Sequence, residues 1–324
     1  MSEIAIFSTS FDQPTYGPVA SKLHERGYET WVYKADKVLS GEDELTVRVN
    51  DEGFGLVYNG VSRVLSDTGC AWFRHPEVYG LNYPDKAKQM SIEQETSNLQ
   101  ESFWRQVPDE AWLNHPRQMQ KAQAKLSQLV LAQELGFHVP ATVVSSSWEE
   151  IDNLSSSKEF EDIIVKMPRG VLHDSDGVRV LYATRLNKER RVSLQENNPF
   201  PAFYQEYMTK AREWRLTVVG DDAFGAAIYT TEDAKDDWRR HQFGSGVRFE
   251  KDELPDKEID RCIKYLRHFN LLYGAFDFVE DHEGVLTFLE CNTNGQYRWL
   301  EDLLGLPISD AIVSQLVTKH ESNK

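Results

Sequence analysis

Short apolar runs separated by polar or helix-periodic spacers dominate the first hundred residues. Residues 4–7 read as a buried strand, 19–26 as a helix stopped by Gly27, and 29–33 as a second strand. The runs at 55–58 and 70–73 are expected to extend the same open α/β sheet. No G-x-G-x-x-G follows the first strand, which leaves a dinucleotide site there with little support. From Pro116, apolar Met119, Ala122, Leu126, Leu129 and Val130 recur at helical spacing until Gly136 and Pro140, predicting one amphipathic helix with Lys125 on its polar side. Strands are expected at 141–144 and 163–167, and the segment 168–178, rich in Gly, His, Asp and Ser, reads as a mobile loop. After a polar run at 187–198, the β-rich runs 203–207, 214–219 and 223–229 predict an antiparallel meander, its last pair turned by Gly220-Asp221-Asp222. A helix marked by Ile259, Cys262, Ile263, Leu266 and Phe269 then precedes two apolar strands, 272–279 and 285–291. The chain has no internal repeat.

Those last two strands carry the sharpest anomaly. Asp277 lies between Phe276 and Phe278 in a run that should be buried, where an unpaired carboxylate would cost several kcal/mol. A turn near His282 and Glu283 sets Asp277 across the ladder from about Phe288, on the same face as Glu290 and Asn292. Two carboxylates and an amide oxygen on one face suit magnesium, a hard cation that shares its oxygen shell with nucleotide phosphates. A structural acid bridged to an arginine is the alternative.

Cations stand near this pattern. Lys166 ends the run Ile163-Ile164-Val165 beside the Gly-rich segment, placed either as a point charge for phosphates or as a strand-end lysine reaching solvent. Glu206 and Tyr207 close a strand whose backbone edge could match adenine, and Glu213 could meet ribose hydroxyls; charged guards of an exposed edge are the other reading. Arg215 should point away from the apolar face of its strand, and Asp237-Trp238-Arg239-Arg240-His241 forms a compact basic group. For Arg240 and His241 a surface ion pair is the preferred reading.

Composition narrows the partners. The 324 residues are 40% apolar with a net charge of -16, ordinary for a globular chain but repulsive to nucleic acid and anionic lipid. A small molecule or a peptide is the expected partner. Three scattered cysteines make neither a disulfide framework nor a zinc cluster, and the absence of a basic leader or a long apolar run leads us to expect a cytoplasmic protein.

Taken together, the motifs Trp112-Leu-Asn-His-Pro, Ala124-Lys125-Leu-Ser-Gln-Leu, Ile164-Val-Lys166-Met, Tyr204-Gln-Glu206-Tyr207, Glu213-Trp-Arg215-Leu, Asp237-Trp-Arg239-Arg, Gly274-Ala-Phe-Asp277-Phe and Phe288-Leu-Glu290-Cys-Asn292-Thr-Asn-Gly295-Gln resemble the ATP-grasp superfamily. Asp-Trp-Arg and Trp299-Leu-Glu301 lean toward its ligases that macrocyclise ribosomally made peptides, the microviridin or graspetide class. The resemblance implies an α/β ATP-grasp fold with an N-terminal pre-ATP-grasp domain (1–113), a central subdomain (114–200) and a C-terminal ATP-grasp domain (201–324). It implies ATP and Mg2+ as cofactors, with Lys125 and Lys166 on phosphates, Glu206 and Tyr207 on adenine, Glu213 on ribose, and Asp277, Glu290 and Asn292 on magnesium. Arg215 and Arg239 would hold the acceptor carboxylate and the developing charge. The acceptor would be an Asp or Glu side chain of a precursor peptide with leader and core, turned into an acyl phosphate and closed by a Ser or Thr hydroxyl or a Lys amine. The segment 169–177 could close over the phosphates, and the resemblance implies a homodimer. Two departures stand out: Trp72-Phe73-Arg74-His75-Pro76 has His75 where the family often has a second arginine, and Thr293-Asn294-Gly295-Gln296 replaces the common Pro-x-Gly ending. No role is assigned to His75. The alternatives are a ligase adding a free amino acid to a peptide or small acid, and an ATP-dependent peptide-binding protein without turnover.

Overall fold

The computed structural model describes residues 3–51, 53–77, 85–156, 162–166, 171–174, 177–180, 183–194, 201–231 and 246–323. The first part runs β1 (Ile4–Ser8), α1 (Gln13–Glu25), β2 (Thr30–Lys34), α2 (Ala35–Ser40), β3 (Leu45–Asn50), β4 (Gly53–Tyr58), β5 (Val61–Arg63), β6 (Cys70–Phe73) and α3 (Lys86–Trp104). Strands β2, β1 and β6 form a parallel sheet in that order. Every residue of β1 and β6 is buried, as a strand covered on both faces requires. One face packs Phe7, Trp31, Phe73, Trp104 and Trp112 together, and the other meets α1. The run at 55–58 does not extend this sheet. It lies in β4, which pairs antiparallel with β3 and β5 in a separate sheet. Its neighbours in sequence are close enough to form hairpins, and those pairings occupy both of its edges.

The middle part runs α4 (Pro116–Ala122), α5 (Lys125–Glu134), β7 (Thr142–Ser145), α6 (Trp148–Ser156), β8 (Ile163–Lys166), β9 (Val171–Asp174), β10 (Gly177–Val180), β11 (Thr184–Leu186) and α7 (Lys188–Leu194). The single helix expected from Pro116 is two, broken at Gln123 and Ala124. The break resets the inward face to Gln128, Leu131 and Ala132, leaving Leu126 and Val130 more than half exposed. Within the expected mobile loop, β9 and β10 pair as an antiparallel hairpin.

The last part runs β12 (Ala202–Glu206), β13 (Arg212–Val219), β14 (Asp222–Thr230), β15 (Val247–Lys251), α8 (Asp256–His268), β16 (Tyr273–Glu280), β17 (Leu286–Asn292), α9 (Arg298–Leu304) and α10 (Ile308–Ser322). The three-stranded meander is not formed. β12 has both edges taken by β7 and β8 in the sheet β11-β8-β12-β7, while β13 lies between β14 and β16 in the sheet β15-β14-β13-β16-β17. The β13–β14 hairpin does turn at Gly220, whose φ of +64° suits glycine.

Three hydrophobic clusters organise the described residues. The four-stranded sheet has its own, Ile151, Ile163, Leu186, Ala202 and Tyr204. The five-stranded sheet buries Trp214, Leu216, Phe276, Phe278 and Phe288 against Cys262, Tyr265 and Leu266 of α8, in a cluster continuous with Phe7 and Trp112. Ile312 and Leu316 of α10 join a second cluster with Ile4, Ile6 and Trp72. The N-terminal sheet and the five-stranded sheet are therefore one packed body. Among the described residues no helix is long and apolar enough to cross a membrane.

All three cysteines are free and buried. Burial pushes the Cys70 thiol from 9.0 up to about 12 and holds those of Cys262 and Cys291 well above the ordinary value. A buried neutral thiol keeps its proton where the unfolded chain loses it, so the unfolded state binds fewer protons above pH 9. Stability is expected to fall as pH rises from 9 toward 12, and native protein at about pH 8 to resist iodoacetamide while denatured protein takes three equivalents. Rapid labelling of the native chain would contradict the burial.

Candidate functional site

The β16–β17 hairpin brings the two acids closer in register than the sequence predicts. Asp277 stands opposite Glu290, not Phe288, because the register shifts between Asp277 and Phe278. Leu289 is the extra residue of this bulge: Phe278 pairs with Phe288, and Asp277 with Glu290. Ala275 is opposite Asn292, so Asp277, Glu290 and Asn292 share one face. On the neighbouring strand Arg215 is opposite Asp277, and Glu213, two residues away, points to the same side. The other face carries Trp214, Phe276 and Phe278 into the core.

Each acid has its own cation. Arg215 Nη1 donates to Asp277 Oδ1 at 2.8 Å, with both residues buried. Lys125 Nζ donates to Glu290 Oε2 at 2.7 Å near the surface. Beside them Lys210 Nζ meets Glu213 Oε1 at 2.6 Å, both side chains nearly buried. Arg215 Nη2 also donates to the carbonyl of Gln296 at 3.2 Å. Among the described residues, its Nε and the Thr217 hydroxyl on the same face are buried without an acceptor or donor. A Cβ at Gly295 would come within 2.6 Å of Arg215 Nη2 and 2.7 Å of Ala275 Cβ, so only glycine lets the loop lie this close.

A second group lies on the four-stranded sheet. Lys166 is half-buried at the end of β8, opposite Phe203, on the face away from the Ile163 and Tyr204 core. Glu206 ends β12, its Oε2 accepting from the Ala141 amide at 3.3 Å. The Tyr207 amide donates to the Asp162 carbonyl, and its ring carries the Arg185 guanidinium at 4.2 Å. The structure joins Lys125, Arg215, Asp277, Glu290 and Asn292 in one cluster with Glu213 alongside, and sets Lys166, Glu206 and Tyr207 on the other sheet. Arg239, with the rest of its basic group, lies outside the described residues.

Among solved structures the chain is similar to a Chryseobacterium gregarium RiPP-associated ATP-grasp ligase in complex with ADP and a leader and core peptide. The TM-score is 0.83 at 23% identity, covering 98% of this chain and 97% of that one. It is also similar to macrocyclase MdnC of Microcystis aeruginosa MRC bound with precursor peptide MdnA, at TM-score 0.80 and 23% identity over 97% and 99%. The chain has the ATP-grasp fold. ATP-grasp ligase PsnB, complexed with a phosphomimetic variant of minimal precursor, Mg and ADP, is similar at TM-score 0.74 and 20% identity over 98% and 99%. No protein-family model and no curated protein matches the chain.

Several residues that hold this cluster together were given no role by the sequence reading. Gln128 donates to the Cys291 carbonyl and accepts from its amide, pairing with the open edge of β17 as a strand would. Asn114 donates to the carbonyls of Tyr273 and Thr293 and accepts from the amides of Leu272 and Tyr273. Arg74 and Asp12 reach the loop after β17 from the N-terminal sheet. Arg74 was marked in sequence by its place directly after a buried strand and by the Trp72-Phe73-Arg74-His75-Pro76 segment, neither of which gave it a role; Gln128 sits at a helix position that the periodicity assigned to solvent.

The two ion pairs should differ sharply in cost. Removing Arg215 takes the hydrogen-bonded guanidinium from a buried carboxylate, worth roughly 3–5 kcal/mol. Removing Lys125 strips a pair near the surface, worth about 0–1 kcal/mol. Urea unfolding of Arg215→Met and Lys125→Met is expected to show that order. Equal or reversed losses would contradict the burial of the Arg215–Asp277 pair.

Proposed function

We propose that this protein is an ATP-dependent ligase that activates Asp or Glu side chains of a ribosomal precursor peptide and closes intramolecular ester or amide links. The observation that carries this reading is the polar face of the hairpin, Asp277, Glu290 and Asn292 with Arg215 and Lys125 on the acids, within an ATP-grasp fold. Fold alone would not assign a reaction. Its support comes from the donor set: two carboxylates and an amide oxygen fit a magnesium ion that also takes phosphate oxygens. Among the described residues no cluster of three or more His, Cys, Asp or Glu stands ready for a metal.

Asp277, Glu290 and Asn292 would hold the magnesium, whose chemistry is to neutralise charge on the phosphates during transfer of the γ-phosphoryl group. Lys125 exchanges Glu290 for a phosphate oxygen when nucleotide enters, and Lys166 meets the same phosphates from the four-stranded sheet. Glu206 and Tyr207 form the adenine edge, and Glu213 takes the ribose hydroxyls. Arg215 holds the acceptor carboxylate beside the phosphate while remaining against Asp277, and Arg239 is assigned to the same carboxylate. The activated acyl group is then attacked by a Ser or Thr hydroxyl or a Lys amine of the same peptide, releasing phosphate. Cys291, next to Glu290, stays protonated by burial and takes no part as a nucleophile. Three reduced, buried cysteines accord with a cytoplasmic protein.

Incubation with ATP, Mg2+ and short peptides encoded beside the gene, read by mass spectrometry, tests this. Loss of water from a peptide with release of ADP is expected. Gain of an amino-acid mass would replace the reading with an amino-acid ligase, and binding without ADP release would replace it with a non-catalytic binder. Asp277→Asn and Glu290→Gln should each lower turnover by at least about 100-fold, the upper end of what losing even an outer-shell partner costs, with the fold retained. Near-normal turnover in both would remove the metal assignment.

A further inference from the structure

Arg74 is 1% exposed, the largest fully buried side chain among the described residues, and it lies outside the machinery assigned above. It follows β6 at the carboxyl edge of the N-terminal sheet. Its Nε donates to Asp12 Oδ2 at 2.7 Å and its Nη2 to Oδ1 at 3.5 Å, a two-pronged pair with an acid just beyond β1. Burying such a pair is costly, and an apolar replacement of similar volume is often as stable or more so. Stability alone therefore gives little reason for this pair.

The remaining donor points to another reason. Arg74 Nη1 reaches the carbonyl of Asn294 at 2.7 Å, its Oδ1 at 3.0 Å and the carbonyl of Gly295 at 3.3 Å. Asn294 in turn donates its amide to Asn292 Oδ1 at 3.1 Å. The Gln296 side chain donates to Asp12 Oδ1 at 2.9 Å and accepts from Thr15 Oγ1 at 3.1 Å, while its carbonyl accepts from Arg215. Tyr273, its hydroxyl pushed up to about 12 mainly by burial, keeps its proton and donates to the Gly295 carbonyl at 2.6 Å. His75 Nε2 lies 2.7 Å from the Asn294 carbonyl, in a backbone held at φ +48°. Every residue from 294 to 296 is thus tied to the N-terminal sheet or to Tyr273, and the same three residues touch Asn292 and Arg215.

We infer that the Asp12–Arg74 pair is a positioning element of the N-terminal sheet that sets the Asn292 amide oxygen and the Arg215 guanidinium for the magnesium nucleotide and the acceptor carboxylate. The inference rests on the proposed nucleotide site and adds to it. The N-terminal sheet thereby becomes a working part of the site: it supplies the outer shell of the Asn292 ligand through Asn294, and the backstop of Arg215 through Gln296. Gly295 makes the coupling tight, because its missing side chain leaves Arg215 in direct contact with the loop.

Calorimetric titration of ADP into the full chain, with and without MgCl2, separates the possibilities. In the wild type, Mg2+ should tighten ADP binding; if it does not, the nucleotide reading itself fails. Given that increment, Arg74→Lys and Asp12→Asn should bind ADP alone with unchanged affinity and lose about 10–100-fold of the magnesium-dependent gain, as outer-shell losses do. A merely structural role would weaken both titrations alike or neither. Since a variant of the buried pair can fail to fold, Gln296→Ala, on an exposed side chain, serves alongside and should lose about tenfold of the gain at unchanged ADP affinity. Retention of the full increment in Gln296→Ala together with either Arg74→Lys or Asp12→Asn, or in Gln296→Ala alone should the other two not fold, overturns the inference.

Discussion

Two carboxylates set opposite each other across a β-ladder repel, and one of them is buried. The whole site depends on how that repulsion is met. Asp277 is held by Arg215 from the adjacent strand, and Glu290 by Lys125 from the start of α5. The first pair is buried and fixed; the second lies near the surface and can be exchanged. On the proposed reading, this asymmetry keeps Arg215 in place and lets a phosphate draw Lys125 away.

The surrounding fold keeps both cations in place. The break between α4 and α5 turns Gln128 inward to close the open edge of β17, and the same turn sets Lys125 over Glu290. Asn114 fastens the segment before α4 to both strands' ends. On the far side, the core continuous from Phe7 through Trp112 to Phe276 makes the N-terminal sheet a rigid support for the loop after β17. The four-stranded sheet, with a core of its own, carries Lys166, Glu206 and Tyr207. A ligand between the two sheets would thus join parts that pack separately.

The sequence reading succeeded where a local pattern was the physical cause. Alternation and an acid between phenylalanines were enough to identify the hairpin and its polar face, and the strand periodicity of β13 turned Arg215 away from its apolar face. It failed where non-local partners decided. The bulge at Leu289 changed which residue faces Asp277, and β12 joined another sheet because β7 and β8 filled its edges. The two-residue break before Lys125 re-phased a helix whose apolar spacing looked continuous. Arg74, Asp12 and Asn294 are far apart in sequence, so nothing local marks them as one network.

The central claim is that Lys125 guards Glu290 until a magnesium nucleotide replaces it. A crystal structure of the protein grown with ADP and Mg2+ tests it most directly. The account predicts Lys125 Nζ on a phosphate oxygen, Asp277, Glu290 and Asn292 on the metal, and Arg215 still against Asp277. ADP bound elsewhere, with the 2.7 Å Lys125–Glu290 pair intact, would contradict it.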